Sequence, residues 1–590
     1  MRWAERPAGE ADPAVSPAEW AALAASAEPG EAARGIAGLE TTPGWEPHEA
    51  TADLLPVLLA LVSDTGTHHR PRITRLLARL TDPDRTWSTP VPTGWEAGLT
   101  ALLSDGDPLV RRQATRLVAC AVRAPERALR ARLEVEADRG VRHDLLRALG
   151  AHADQGVEAL VEDALDEATW SGSGWLDWES RATPIGQVVR DSGELLADDP
   201  GAVAEFAAGV VARGGVEHRL AALGCAMRAL GRWRDPAPVP LVGRLLDDSA
   251  SRVRRWATVV AAHLGPEARE HADRLAELAG RERGSLRDAA LWALARQEDP
   301  RCLPGLVELL GGDVLSFAPT RGLSPLEHAP WPFRTELIDV LIPLRAHADA
   351  LLPPITECLV APERFEAGGW RLLRVLVAWG PAALPALPAL VGLLARPGRH
   401  HGLVAVTIGR LGPGAIGAAD ALRAVAERWA EPVERALWEI GAIPLPSLAE
   451  LTSGSPQPPG TPGSFPSHDP AAAVVLRELL ATSDDEHSRA GACHALWRIT
   501  GDAGEVAPVL ARTAAPLRDG FRAASATALR HLAEIGAADG EVLALARTLA
   551  DRPDRIGHHQ GWRLISPEPI AQDQDVRESA SRLLGESLPW

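Results

Sequence analysis

The chain of 590 residues contains no lysine, no asparagine and no tyrosine. Every one of its 61 basic residues is therefore an arginine, and no side-chain ammonium exists for lysine-directed tagging. Methionine occurs twice and phenylalanine six times, against 19 tryptophans. The depleted residues share codons that begin with A or U pairs, so codon bias in a very GC-rich genome thins them. Complete loss of three residue types leaves two selective readings beside codon bias: synthesis while certain tRNAs are scarce or cleaved, and escape from lysine tagging. Cysteine is sparse as well. Cys120, Cys225, Cys302, Cys358 and Cys493 lie far apart within apolar helical patterns, without disulfide or metal spacing, which predicts reduced thiols in a cytoplasm. No apolar run approaches the ~18 to 20 residues that span a bilayer, so no membrane partner is expected. The N-terminal Met1-Arg2-Trp3-Ala4-Glu5-Arg6 leads into a Pro/Glu/Ala stretch rather than an apolar leader. No P-loop, H-E-x-x-H or G-x-S-x-G motif occurs, and no catalytic residue, cofactor or metal is expected.

What the sequence does contain is a repeat. An apolar residue, an arginine and small residues recur as Val110-Arg111-Arg112-Gln113-Ala114, Val141-Arg142, Val253-Arg254-Arg255-Trp256-Ala257 and Leu286-Arg287-Asp288-Ala289-Ala290. The phrase returns as Ser488-Arg489-Ala490, Phe521-Arg522-Ala523-Ala524 and Val576-Arg577-Glu578-Ser579-Ala580. The steps from 110 to 141, 253 to 286 and 488 to 521 are 31, 33 and 33 residues. Closing glycines at Gly150, Gly265, Gly380, Gly412, Gly441, Gly501 and Gly536 keep a similar spacing. Each period holds apolar residues at three-to-four spacing, then an Asp-rich turn such as Ser104-Asp105-Gly106-Asp107-Pro108 or Asp247-Asp248-Ser249 that offers N-caps to a second helix. Glycine after that helix permits a left-handed terminus. A hairpin of ~30 residues cannot bury its apolar face alone, so neighbours must stack.

These residues resemble the HEAT-repeat superfamily, in its bacterial form also called PBS-lyase-like repeats. The matching stretches are 95–122, 237–265, 272–310, 370–441 and 471–536. Residues 18–80, with Gly44-Trp45-Glu46-Pro47, are similar to the N-terminal part of large actinobacterial HEAT-repeat proteins. The resemblance implies an all-α, right-handed α-α superhelical solenoid of helical hairpins with loop insertions, whose second helices line a concave face that holds partners. An N-terminal helical cap is expected over 1–50 and a main solenoid over 51–451, with insertions near 82–94, 170–183 and 311–334. A flexible Pro/Gly/Ser linker is expected over 452–470 and C-terminal repeats over 471–590. Residues 553–575 read as a further surface insertion.

Several groups invite a chemical reading. Gly412-Pro413-Gly414-Ala415-Ile416-Gly417 matches G-x-G-x-x-G, but it follows a helix rather than a strand and reads as an inter-repeat turn. The pairs His68-His69, His400-His401 and His558-His559 cannot share a helix face and read as turn residues. Asp484-Asp485-Glu486-His487 reads as a helix cap. The recurring arginines Arg111, Arg142, Arg254, Arg287, Arg489, Arg522 and Arg577 suit either a structural ladder to neighbouring turns or anion binding. Trp292, Trp438 and Trp497 hold one register in Ala-Leu-Trp steps and either pack between repeats or line the concave surface as anchors.

The net charge of −18 argues against general nucleic-acid binding. Residues 111–147 nevertheless hold ten arginines against five acids, and 154–205 hold thirteen acids against Arg181 and Arg190. Trp170, Trp175 and Trp178 lie in that acidic tract, a setting suited to a basic protein or peptide. The candidate partner-binding residues are therefore Trp170, Trp175, Trp178, Trp292, Trp438, Trp497, Arg111, Arg112 and Arg142. The expected function is a non-catalytic scaffold for a protein or peptide partner. The alternatives are a stress, defence or toxin-immunity protein on the same scaffold, and a nucleic-acid-acting protein resembling HEAT-like DNA glycosylases.

Overall fold

A computed structural model describes residues 17–41, 49–81, 94–149, 156–165, 184–312, 317–319, 335–443, 472–537, 539–556 and 569–586. The chain divides into two compact units, Met1–Asp198 and Asp199–Trp590. Both are helical. Among the described residues the only β-type pairing is one isolated antiparallel bridge, Trp233 with Asp554. The expected linker at 452–470 lies outside the described residues, as do the cores of the insertions at 82–94, 170–183 and 311–334.

The first unit holds α1 (Pro17–Ala24), α2 (Pro29–Thr41), α3 (Glu49–Ser63), α4 (Arg70–Thr81), α5 (Glu96–Ala101), α6 (Pro108–Ala121), α7 (Glu126–Val135), α8 (Arg139–Leu149), α9 (Val157–Leu165) and α10 (Pro184–Leu195). They pair as consecutive hairpins, and the second helices α4, α6 and α8 pack in succession. Val110, Ala114, Leu117 and Val118 recur along one face of α6 and join Leu76, Leu80, Val141 and Leu145 in a shared core. Asp107 begins α6 as predicted: its carboxylate accepts from the Leu109 amide at 2.8 Å, with Pro108 at the first helical position.

The second unit runs α11 (Pro200–Arg213), α12 (Val216–Arg232), α13 (Val239–Leu245), α14 (Ser251–Leu264), α15 (Ala272–Arg281), α16 (Ser285–Arg296), α17 (Leu303–Gly311), α18 (Leu337–Leu341), α19 (Ala348–Val360), α20 (Pro362–Glu366), α21 (Leu373–Trp379), α22 (Leu387–Leu394), α23 (His401–Arg410), α24 (Ala419–Ala424) and α25 (Ala430–Glu439). After the undescribed 444–471 come α26 (Ala472–Thr482), α27 (Glu486–Thr500), α28 (Ala503–Ala514), α29 (Ala523–Ile535), α30 (Gly540–Asp551) and α31 (Pro569–Leu584). The same alternation continues: α12, α14 and α16 pack side by side, as do α21, α23 and α25, and then α27, α29 and α31. The closing glycines act as predicted at six positions: Gly265, Gly380, Gly412, Gly441, Gly501 and Gly536 all adopt positive φ, the region that an L side chain disfavours. Gly150 lies outside the described residues. Gly412 follows α23 and opens a 3-10 turn, Pro413–Ala418, so the glycine-rich motif is a helix junction as expected.

Two expectations need correction. The stretch Gly369–Leu394 is long and apolar enough to count as a possible membrane span, contrary to the reading of apolar runs. It folds, however, as two short helices, α21 and α22, broken at Gly380-Pro381, with Leu372, Leu376, Trp379 and Leu390 fully buried inside the array. The second correction concerns 553–575, expected as a surface insertion. Its described parts close the second unit instead. α31 packs against α12 and α14, so the last hairpin returns to the beginning of this unit. Arg555 is fully buried; its Nε donates to the Leu230 carbonyl at 2.6 Å, and its Nη atoms reach Glu267 and Asp573. Asp573, also fully buried, pairs with Arg234 at 2.7 Å. Gln574 donates to the Leu264 carbonyl at 2.8 Å. A contact between residues more than 300 apart in sequence leaves no local periodic signal, and charged residues ordinarily mark surface, so pattern alone points the wrong way.

Candidate functional site

The recurring arginine of the second helix sets the frame for any binding surface. Arg111 donates from Nη1 to the Asp105 carbonyl at 2.9 Å, in the turn before its own helix, and from Nε and Nη2 to Glu136 in the next turn, both at 2.9 Å. Arg254 repeats the pattern: Nη1 to the Asp248 carbonyl at 2.9 Å and Nη2 to Glu282 at 3.0 Å. Arg142 donates to the Leu133 and Glu136 carbonyls at 2.9 and 3.3 Å. Arg219 bonds the Gly214 carbonyl at 3.2 Å and pairs with Asp248 at 2.7 Å. Arg111, Arg254 and Arg219 thus each tie their own turn to the following one, the structural ladder of the two readings, while Arg142 bonds only the backbone before its own helix. The guanidinium fork suits this because it serves a carbonyl and a carboxylate at once. Asp248, expected as an N-cap, serves as the Arg219 partner and binds the Ala250 amide at 2.8 Å.

The predicted anchors fall into three groups. Trp170, Trp175 and Trp178 lie outside the described residues. Trp292 and Trp438 are buried, 2% and 4% exposed, which decides their case for packing between repeats and removes them as surface anchors. The Trp292 ring meets His263 edge-on at 4.9 Å. Trp497 is half-buried on the C-terminal core, with its ring 5.7 Å from that of His494. Arg112 is buried against Asp144 at 2.7 Å, and Arg111 and Arg142 are committed as described. The basic stretch 111–147 therefore spends much of its charge inside the first unit, on Glu136 and Asp144 above all.

A different set of arginines faces an opening in the second unit. Between α15, α16 and α17 lies a cleft of about 670 Å³ whose floor includes Ala276, Leu291, Pro304 and Gly305. Gly305 sits so close to Leu291 that an added Cβ would come within 2.6 Å of its Cδ2, which lets α17 settle onto α16. Arg281, Arg283, Arg287 and Arg301 rim the cleft with Glu282 and Glu308. The rim pairs differ in kind from the ladder pairs. Arg287 pairs with Glu308, whose side chain is 70% exposed, and Arg301 pairs at 2.7 Å with Asp273, 96% exposed, as well as at 2.6 Å with Asp299, 15% exposed. By contrast the ladder carboxylate Glu136 is 0% exposed. Exposed ion pairs are worth roughly 0 to 1 kcal/mol, so a ligand's carboxylates can exchange into them at little cost. Arg283 is itself exposed.

The histidine pairs serve turns: His68 Nε2 lies 3.0 Å from the Ala27 carbonyl, His400 stacks on Trp370 at 5.0 Å, and His401 meets the Arg396 carbonyl at 2.6 Å. His558 and His559 lie outside the described residues. Asp485 caps α27 through the Ser488 amide at 2.8 Å, as read from sequence. The five cysteines form no disulfide, and burial pushes the Cys302 and Cys493 thiols up to about 12, where they carry little thiolate. Sequence reasoning missed one constellation. His494 on α27 and His531 and Glu534 on α29 meet across the seam between two second helices. The only linear trace is His-x-x-Glu at 531–534, one helical turn; the third member lies 37 residues away.

Stacked hairpins with parallel second helices, joined by an arginine ladder, define an α-helical repeat solenoid. Residues 223–295, from α12 to α16, match the family model described as HEAT repeats. The match identifies HEAT repeats over that segment of the second unit. No curated protein sequence matches it. Similar solved structures include importin beta, at 12% identity and TM-score 0.45, covering 96% of this chain and 84% of that one. Yeast importin-beta, Kap95p, is similar at 11% identity and TM-score 0.40, covering 96% and 89%. The Escherichia coli protein YibA is similar at 16% identity and TM-score 0.30, covering 46% of this chain and 90% of its own.

Proposed function

We propose that this protein is a non-catalytic scaffold that holds a protein partner, and that an acidic segment of that partner seats in the cleft between α15, α16 and α17. The cleft itself carries the reading: an apolar floor rimmed by four arginines, of which Arg287 and Arg301 hold exposed, exchangeable carboxylates and Arg283 is itself exposed. An extended segment with aspartates or glutamates flanking apolar residues matches that arrangement, floor against side chains and rim against carboxylates. The net charge of −18 disfavours nucleic acid as the occupant, because a polyphosphate meets the whole field and not the rim alone. The acidic tract 154–205 favours a basic partner instead, which makes basic peptides the natural competitor in the test. Fluorescence anisotropy of labelled acidic and basic peptides against the full chain separates the two. The scaffold reading expects the acidic peptides to bind, with affinity falling as salt rises and falling at least about tenfold in Arg283→Glu/Arg287→Glu. Preferential binding of the basic peptides, or no effect of the charge reversal, overturns the cleft assignment.

A further inference from the structure

We infer that His494, His531 and Glu534 form a binding site for a divalent transition-metal ion, of which Zn²⁺ is the best fit. This site lies on α27 and α29, apart from the cleft between α15, α16 and α17. Its donor atoms already converge: His494 Nε2 lies 2.9 Å from Glu534 Oε2, and His531 Nδ1 lies 3.4 Å from the same oxygen. All three ligand atoms fall within 4.8 Å of one another. Zinc bonds to nitrogen and carboxylate oxygen run about 2.0 to 2.2 Å, and two such bonds at a tetrahedral angle separate their donors by roughly 3.3 Å. The observed separations bracket that value, so small side-chain rotations admit the ion without moving the backbone.

The scaffold beneath the site favours the same reading. His531 and Glu534 stand one turn apart on α29, and His494 projects from the neighbouring α27, so two packed helices fix all three positions. The two imidazoles stack at 4.1 Å and 8°, both presenting a nitrogen to one carboxylate. His531 is buried and its Nε2 has no hydrogen-bond partner, so the ring's polar capacity is directed at Glu534 alone. Arg530, the cation that adjoins the site in sequence, is paired away with Asp575 at 2.7 Å. Two imidazoles and one carboxylate suit zinc, and a Glu534 side chain that is 39% exposed leaves a coordination position open to water.

The test is calorimetric titration of the metal-stripped full chain with Zn²⁺, alongside Co²⁺ absorption as a report of tetrahedral coordination. One equivalent should bind with micromolar or tighter affinity, and Co²⁺ should give the intense visible bands of a four-coordinate site. Glu534→Gln and His494→Ala should each weaken that equivalent beyond the roughly 10- to 100-fold that loss of an outer-shell partner causes. His400→Ala, remote from the site, should leave it intact. Circular dichroism and the thermal midpoint establish that each variant is folded; if one is not, the other carries the comparison. Absence of a micromolar equivalent, or an equivalent indifferent to both Glu534→Gln and His494→Ala, overturns the site and leaves the cluster as a hydrogen-bonded tie between two helices.

Discussion

Glu136 offers the sharpest test of the arginine ladder, because its environment fixes both the size and the pH range of its effect. The carboxylate is fully buried and accepts from Arg111 Nε and Nη2 at 2.9 Å, from Arg132 Nε and Nη2 at 2.8 and 2.7 Å, and from the Asp138 amide at 2.8 Å. Burial opposes ionisation, but these donors overcome it and hold the carboxyl at about 2, against an ordinary 4.5. A folded-state pKa below the unfolded one means that the folded state binds the proton less readily. The stabilisation is then fully present above about pH 4.5 and is lost as the pH falls towards 2. Its size is the shift times 1.36 kcal/mol per unit, or about 3 kcal/mol. Glu136→Gln keeps the shape and removes the titration. Urea unfolding of both proteins across that range, with limited proteolysis locating the transition of α6 to α8, measures the difference between them, in which other titrating groups cancel. The difference should be about 3 kcal/mol at neutral pH and should shrink steadily below pH 4.5. A difference that is flat with pH, or close to zero at neutral pH, would refute the ladder as a charged, load-sharing network.

Further outcomes follow from the buried groups of the second unit. Asp573→Ala leaves Arg234 and Arg555 without their shared carboxylate, and removing one member of a buried ion network costs roughly 3 to 5 kcal/mol. Hydrogen exchange should accelerate together in α12, α14 and α31; acceleration in α31 alone would show that the closing contact contributes little to the start of the unit. Trp292→Ala should cost roughly 3 to 5 kcal/mol by thermal or denaturant unfolding, as a buried indole is replaced by a cavity. A cost below about 1 kcal/mol, the scale of an ordinary surface change, would contradict its placement between repeats.

The repeat was legible because its determinants are local. Arg111 and Arg254 each bond a carbonyl five or six residues back and an acid in the next turn, so the same short phrase must recur for the same geometry to recur. Gly412 and Gly501 mark helix ends for an equally local reason, a backbone angle that favours glycine. The tryptophans were ambiguous, since Ala-Leu-Trp at one register places the indole beside the core without saying which side closes over it. Trp292 and Trp438 are covered by neighbouring repeats, a fact that depends on how far each helix rotates against the next. The closure by Arg555 and Asp573 and the meeting of His494 with His531 and Glu534 were invisible for the same reason. Each joins helices whose relative register is set by packing along the array, and no spacing within one repeat encodes it.

A scaffold that holds an acidic protein segment in the cleft of the second unit should leave a footprint there. Hydrogen exchange of the full chain, measured with and without a saturating acidic peptide carrying apolar residues, reports which backbone is covered. Slowed exchange should concentrate in residues 276–308 and be abolished by Arg283→Glu/Arg287→Glu. Protection that falls elsewhere, or that persists in the charge-reversed protein, would contradict it.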